Sequence, residues 1–183
     1  ALYMALDLGH KKWTIRFGDG QRIRDAQCDA RDLDRLGREI EKAREKFGLD
    51  RSSRIVSCYE AGWDGFWLHR YLLSKGIENL VVDSSSIEVN SRRRRAKNDK
   101  LDAAKLLEQL LRHDRGERAW SVVRVPSVAD EDARQPHREL DRLKRERRRS
   151  WNRIQGLLVS QGIAVLPSYR KLAQHLSELR SGD

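Results

Sequence analysis

The run Leu2 to Leu8 (LYMALDL) is apolar almost throughout and reads as a buried strand. Lys12 to Phe17 (KWTIRF) alternates and is expected to return beside it, antiparallel, across Gly9-His10-Lys11. Gly18-Asp19-Gly20 signals a turn, and Gln21 to Cys28 (QRIRDAQC) supplies a third, more polar strand of a meander. Leu33, Leu36, Ile40, Ala43 and Phe47 then recur at spacings of three and four, the stripe of an amphipathic helix. Asp29 or Asp32 can cap that helix and Gly48 can close it. Arg54 to Tyr59 returns to strand, Phe66, Trp67, Leu68, Tyr71 and Leu72 mark a helix ending by Gly76, and Ile77 to Val82 is the next strand. Asp83 to Ser86 is a polar loop and Ser91 to Asn98 a basic one. A helix with Leu101, Ala104, Leu107, Leu110 and Leu111 runs from Asp99 to about His113, and Trp120 to Val125 is expected to add a short strand. The order βββαβαβα belongs to the RNase H-like class: an α/β fold with a mixed sheet flanked by helices, here over 1–125.

After Pro126 the pattern changes. From about Asp130 to Gln161 nearly every residue is charged or a helix former, and Leu140, Leu143, Ile154 and Leu157 keep a three-and-four type of spacing interrupted by Arg147 and Ser150. The expectation is a long helix, or a pair broken near Pro136, acting as a coiled-coil surface over 126–165. Gly162 and Pro167 end it, and 166–183 begins a linker or a short helix at Tyr169 to Leu179. The start at Ala1 and the ending at Ser181-Gly182-Asp183 suggest a piece of a longer protein.

Charge narrows the partner. Across 183 residues the formal net charge is +10 and the pI near 10.0, with 36% charged and 38% hydrophobic residues. Such a chain favours a polyanion, because Lys and Arg that neutralise phosphates release condensed counterions. Cys28 and Cys58 have no CxxC spacing and His10, His69, His113, His137 and His175 no ligand-pair spacing, which argues against structural zinc. No run approaches the length of a bilayer-spanning helix and no signal-peptide pattern opens the chain, so a cytoplasmic location off the membrane is expected.

Carboxylates stand where this topology converges. Asp7 lies near the end of the first strand, Glu60 at the end of the fourth, and Asp99 and Asp102 one turn apart on the last helix of the fold. Four gathered acids would repel unless a cation joined them, which makes Mg²⁺ or Mn²⁺ the natural cofactor for phosphodiester chemistry. Each acid also has a plainer reading. Asp7 can cap a turn, and its D-L-G also opens sugar-kinase and actin-like ATPases; Glu60 can complement a helix dipole; Asp99 and Asp102 can serve as cap and first-turn acid.

The stretches A-L-D-L-G-H-K (Ala5 to Lys11), C-Y-E-A-G-W (Cys58 to Trp63), K-N-D-K-L-D-A-A-K-L (Lys97 to Leu106) and R-R-S-W-N-R-I-Q-G-L-L-V-S-Q-G-I (Arg148 to Ile163) resemble the DEDD transposases of bacterial insertion sequences, family one-ten. That resemblance implies a RuvC-like nuclease domain whose catalytic, metal-holding acids correspond to Asp7, Glu60, Asp99 and Asp102. It implies DNA as substrate, a structured guide RNA as partner, and homo-oligomers through the helical segment. It also implies a second, C-terminal domain contributing a nucleophilic serine; nothing after Pro167 matches that domain, and neither Ser168 nor Ser177 is assigned its role.

Two basic patches are candidate nucleic-acid contacts. Arg92, Arg93, Arg94, Arg95, Lys97 and Lys100 surround the start of the acidic helix, and Arg145, Arg148, Arg149 and Arg153 lie on the long one. The first could be a solvated loop, but its place beside the acidic helix favours contact; on the second, which surrounds its helix, some residues face solvent or a partner while others could grip RNA. Two other classes remain open: a non-catalytic nucleic-acid-binding and oligomerisation module, and an ATPase, which would need further glycine-rich phosphate loops.

Overall fold

The computed structural model describes residues 1–62, 65–87 and 99–163, without the side chains of 99–101. The chain forms two compact units, Ala1–Val125 and Pro126–Asp183.

In the first unit, β1 (Leu2–Leu8), β2 (Lys12–Gly18) and β3 (Ile23–Asp29) form the expected meander. They are followed by α1 (Leu33–Phe47), β4 (Ile55–Glu60), α2 (Trp67–Ser74), β5 (Glu78–Val82) and α3 (Asp99–Asp114). The sheet order is β3-β2-β1-β4-β5, with β2 antiparallel to its neighbours and β1, β4 and β5 parallel. This is the RNase H-like arrangement.

Side chains alternate along a strand, so each strand feeds two cores. Leu2, Met4 and Leu6 of β1 join Ile55 and Tyr59 of β4 under α1 and α2, packed on Leu36, Ile40, Leu68 and Leu72. Ala5, Val56, Cys58 and Val82 face the other way, onto Leu106, Leu107 and Leu110 of α3. Gly18 permits that approach, since a Cβ there would lie 3.1 Å from the Leu107 side chain. Asp32, rather than Asp29, caps α1 by accepting from the Arg35 N–H at 2.8 Å, and Gly48 closes it at φ 66°. Buried Glu39 ties α1 to β3 through Arg24, with Arg35 and Lys42 alongside. Burial alone would raise the Glu39 carboxyl, but hydrogen bonds from Arg24 and Lys42 hold it below the usual carboxylate range.

One expectation changes. Trp120 to Val125 makes no strand, only a bridge between Val122 and Val82 with Val123 N–H donating to Val81 O at 2.8 Å. Ala119 and Trp120 are buried in the α3 core, while Val123 and Val125 pack against the α1/α2 core, as side chains alternate along an extended chain. The segment runs antiparallel beside the end of β5 only from Ser121 to Val123, where the Asp83 N–H also donates to the Ser121 carbonyl at 3.0 Å. Of the two alternatives for the charged stretch, a long helix or a pair broken near Pro136, the long helix is the one formed. α4 (Val128–Ser160) is continuous through Pro136, capped by Ser127, whose hydroxyl accepts from the Asp130 N–H. A proline removes its own i→i−4 bond and crowds one carbonyl, and the helix formers on both sides outweigh that loss. The expected helix at Tyr169 to Leu179 lies outside the described residues.

Candidate metal centre and nucleic-acid interface

The last registered pair between β1 and β4 is Leu6 with Tyr59, and the next residue on each strand is an acid, Asp7 and Glu60. Because Leu6 and Tyr59 face α1 and α2, alternation turns Asp7 and Glu60 toward the α3 face. Asp7 is half-buried and Glu60 exposed. Asp7 lies opposite Thr14 across the tight β1–β2 turn. That turn needs Gly9: a Cβ would stand 2.5 Å from the Lys12 carbonyl oxygen.

α3 runs antiparallel to β1 and β4, which brings its first turn to the same end of the sheet. Its last residue, Asp114, accepts from Tyr3 Oη at 2.6 Å and from Arg54 Nη1 at 2.8 Å, both at the opposite end. Midway, Cys58 Sγ donates to the Leu106 carbonyl at 3.8 Å. Asp102 is one turn before Leu106 and half-buried, on the helix side that meets the sheet. Asp99 is the first residue of α3, and its side chain lies outside the described residues. Three elements thus bring Asp7, Glu60 and the acidic turn of α3 to one end and one face. Among the described residues, no group of three or more His, Cys, Asp or Glu side chains is arranged to hold a metal ion.

A further acid, Asp83, follows β5 at the same end, but its carboxylate accepts from Ser85 N–H and Oγ at 2.9 and 2.8 Å, and these bonds hold its pKa low. It caps a turn.

The far-end clamp is a set of residues that sequence reasoning missed. Arg54 joins Asp114 to Glu78, reaching the latter through Nε and Nη2 at 2.7 Å each. The Tyr3 hydrogen bond, with Arg54 behind it, holds the Asp114 carboxyl below its ordinary value despite partial burial, and the same bond raises the Tyr3 phenol. Tyr3 and Asp114 are 111 positions apart, so no local pattern announces the pair.

Of the basic candidates, Arg92, Arg93, Arg94, Arg95 and Lys97 lie outside the described residues, as does the side chain of Lys100. Arg145, Arg148, Arg149 and Arg153 are exposed on α4, where Arg145 also donates to the Asp141 carbonyl at 3.3 Å. No residue of α4 is buried, and Leu140, Leu143 and Leu157 are 49%, 52% and 60% exposed. Among the described residues no helix is long and apolar enough to cross a membrane.

No family model matches the chain. It is similar to two curated proteins. "Putative transposase y4rJ" of Sinorhizobium fredii is 41% identical over 192 residues, covering 100% of this chain and 48% of that protein. "Transposase for insertion sequence element IS1533" of Leptospira borgpetersenii is 30% identical over 133 residues, covering 71% of this chain and 36% of that protein. The chain therefore spans about half the length of the first relative and less of the second. It is a homologue of proteins named as transposases, one of them by name that of an insertion sequence.

Proposed function

We propose that this chain is the RNase H-like nuclease part of an insertion-sequence transposase, with Asp7, Glu60, Asp99 and Asp102 as its catalytic acids. The observation that supports this best is that Asp7 and Glu60 end adjacent parallel strands on the face where α3 brings its first turn. The homologues named as transposases support the same role. The donor chemistry suits a hard divalent cation, Mg²⁺ or Mn²⁺, since carboxylate oxygens come from three separate segments. Such an ion, when bound, would stabilise charge on a phosphodiester and lower the pKa of an attacking water or hydroxyl. The chain's own part is to aim the carboxylates and to hold α3 against the sheet through the Tyr3–Asp114–Arg54 clamp.

The finer parts of the reading rest on the resemblance to the family one-ten enzymes. These are a structured guide RNA, homo-oligomers through α4, and a serine from a further domain completing the site. On this reading the chain alone binds metal and DNA but does not finish strand exchange. Efficient recombination of a donor–target pair by this chain alone would refute that point.

The test is Mg²⁺ or Mn²⁺ binding to the intact chain by calorimetry, beside Asp102→Asn with its fold checked by circular dichroism. Loss of a direct ligand is expected to weaken binding by at least the roughly ten- to hundredfold that loss of an outer-shell partner costs. Equal binding by the two folded proteins would remove Asp102 from the site. A second reading, a non-catalytic nucleic-acid-binding and oligomerisation module, draws on the lack of a three-ligand group among the described residues. It predicts nucleic-acid binding indifferent to divalent ions.

A further inference from the structure

We propose that the β1–β2 turn and the first turns of α1 form a cationic ledge that grips the phosphate backbone of duplex DNA beside the acids. The proposal deepens the nuclease reading and rests on it for the identity of the polyanion.

Placement carries the argument. Lys11 and Lys12 follow Asp7 across the Gly9 turn, so they stand at the sheet end where Asp7 and Glu60 are displayed. The Ala30 N–H donates to the Lys11 carbonyl at 2.9 Å, and Lys12 registers opposite Asp29, which joins this turn to the entry of α1. Lys12, Arg35 and Arg38 then line one cavity of about 310 Å³. The cavity takes Lys12 from β2 and Arg35 and Arg38 from α1, which packs on the sheet face opposite that of Asp7 and Glu60, so the ledge meets the acids at the sheet end.

Its charge is available to a partner. Lys11, Lys12 and Arg38 are exposed, and none has a carboxylate partner among the described residues. Elsewhere in this unit Arg16, Arg24, Arg54 and Arg112 are each paired with an acid. The carboxylates facing the ledge are Asp29 and Asp32. Asp32 is engaged as the cap of α1, and Arg35 is shared with Glu39 at 3.0 Å.

A repeating polyanion fits this arrangement better than a single small anion. The cations are spread from the turn beside Asp7 to Arg38, one turn into α1, rather than converging on a point. A duplex lying across the sheet end with one phosphate near Asp7 would carry its flanking phosphates along this line.

The experiment measures the salt dependence of binding to a random-sequence DNA duplex, in EDTA so that metal chemistry plays no part. The full chain is compared with Lys11→Gln/Lys12→Gln/Arg38→Gln and with Lys46→Gln/Arg51→Gln/Lys75→Gln. The second triple removes exposed cations from the opposite end of the fold. Each lost phosphate contact should reduce the slope of log K against log salt by about 0.9, so the ledge triple is expected to lose up to about 2.7. The control triple should keep the wild-type slope. Equal slopes in all three proteins would overturn the ledge and leave the nuclease reading standing, whereas a wild type that binds no duplex would overturn both. A defect confined to an RNA hairpin, with duplex binding unchanged, would also overturn the proposal.

Discussion

The sheet unit and α4 use the same residue, leucine, in opposite ways. In the sheet unit Leu6, Leu68, Leu72 and Leu110 are fully buried between a strand and a helix. On α4, Leu140, Leu143 and Leu157 are about half exposed on a helix with no buried residue. The sheet unit holds itself together by removing apolar surface from water, at roughly 25 cal/mol per Å². α4 draws no such support from its own leucines; it relies on helix propensity, the Ser127 cap and solvent-screened i,i+4 pairs such as Arg142–Glu146 at 3.0 Å. The lesson is that amphipathic spacing announces a helix in both regions but says nothing about where the apolar stripe is covered.

The contrast can be broken most forcefully at Leu110, which is 0% exposed against the sheet. Leu110→Ala should cost about 2–5 kcal/mol of unfolding free energy in urea titrations, from lost transfer energy and the cavity left behind. A cost below about 1 kcal/mol would mean that α3 is not packed as described.

Tyr3→Phe probes the clamp at the far end of the same helix. Its loss should cost about 1 kcal/mol near neutral pH. The pH profile gives the sharper readout. Asp114 is depressed, so its contribution is present above the ordinary Asp pKa, about 4, and is lost as pH falls through the folded value. Tyr3 is raised, so its contribution is present below about pH 10 and is lost as pH rises through its folded value. The variant should flatten both limbs of the stability curve; an unchanged acid limb would show that Arg54 alone holds Asp114.

Leu143→Asp should have the smallest effect on the sheet unit, within about 0.5 kcal/mol of the wild type. If α4 packs against a second copy, as the resemblance implies, the same change should lower the mass seen by analytical ultracentrifugation. Destabilisation of the sheet unit by several kcal/mol would remove the contrast between the two regions.

Much of the fold was legible because strands and helices carry distinct periods. The alternation in Lys12 to Phe17, the three-and-four stripe of Leu33 to Phe47, and the Gly48 stop each became the element they implied. Asp7 and Glu60 were readable as strand-end acids for the same reason: the apolar run ends beside them. That Trp120 to Val125 pairs with β5 only around Val122 was not legible, since an apolar run does not show how far an edge strand will pair with it. Nor was the choice of Asp32 over Asp29 as cap, which depends on where β3 stops pairing with β2.

The order and type of elements, the basic balance and the acids at element ends are properties of short windows, and the chain specifies them locally. Which acids share a face, which carboxylate is held by a tyrosine from the far end of the chain, and which lysines meet α1 were decided only by tertiary packing. Those relations come from strand register and the antiparallel lie of α3, distances between residues remote along the chain that no local spacing encodes.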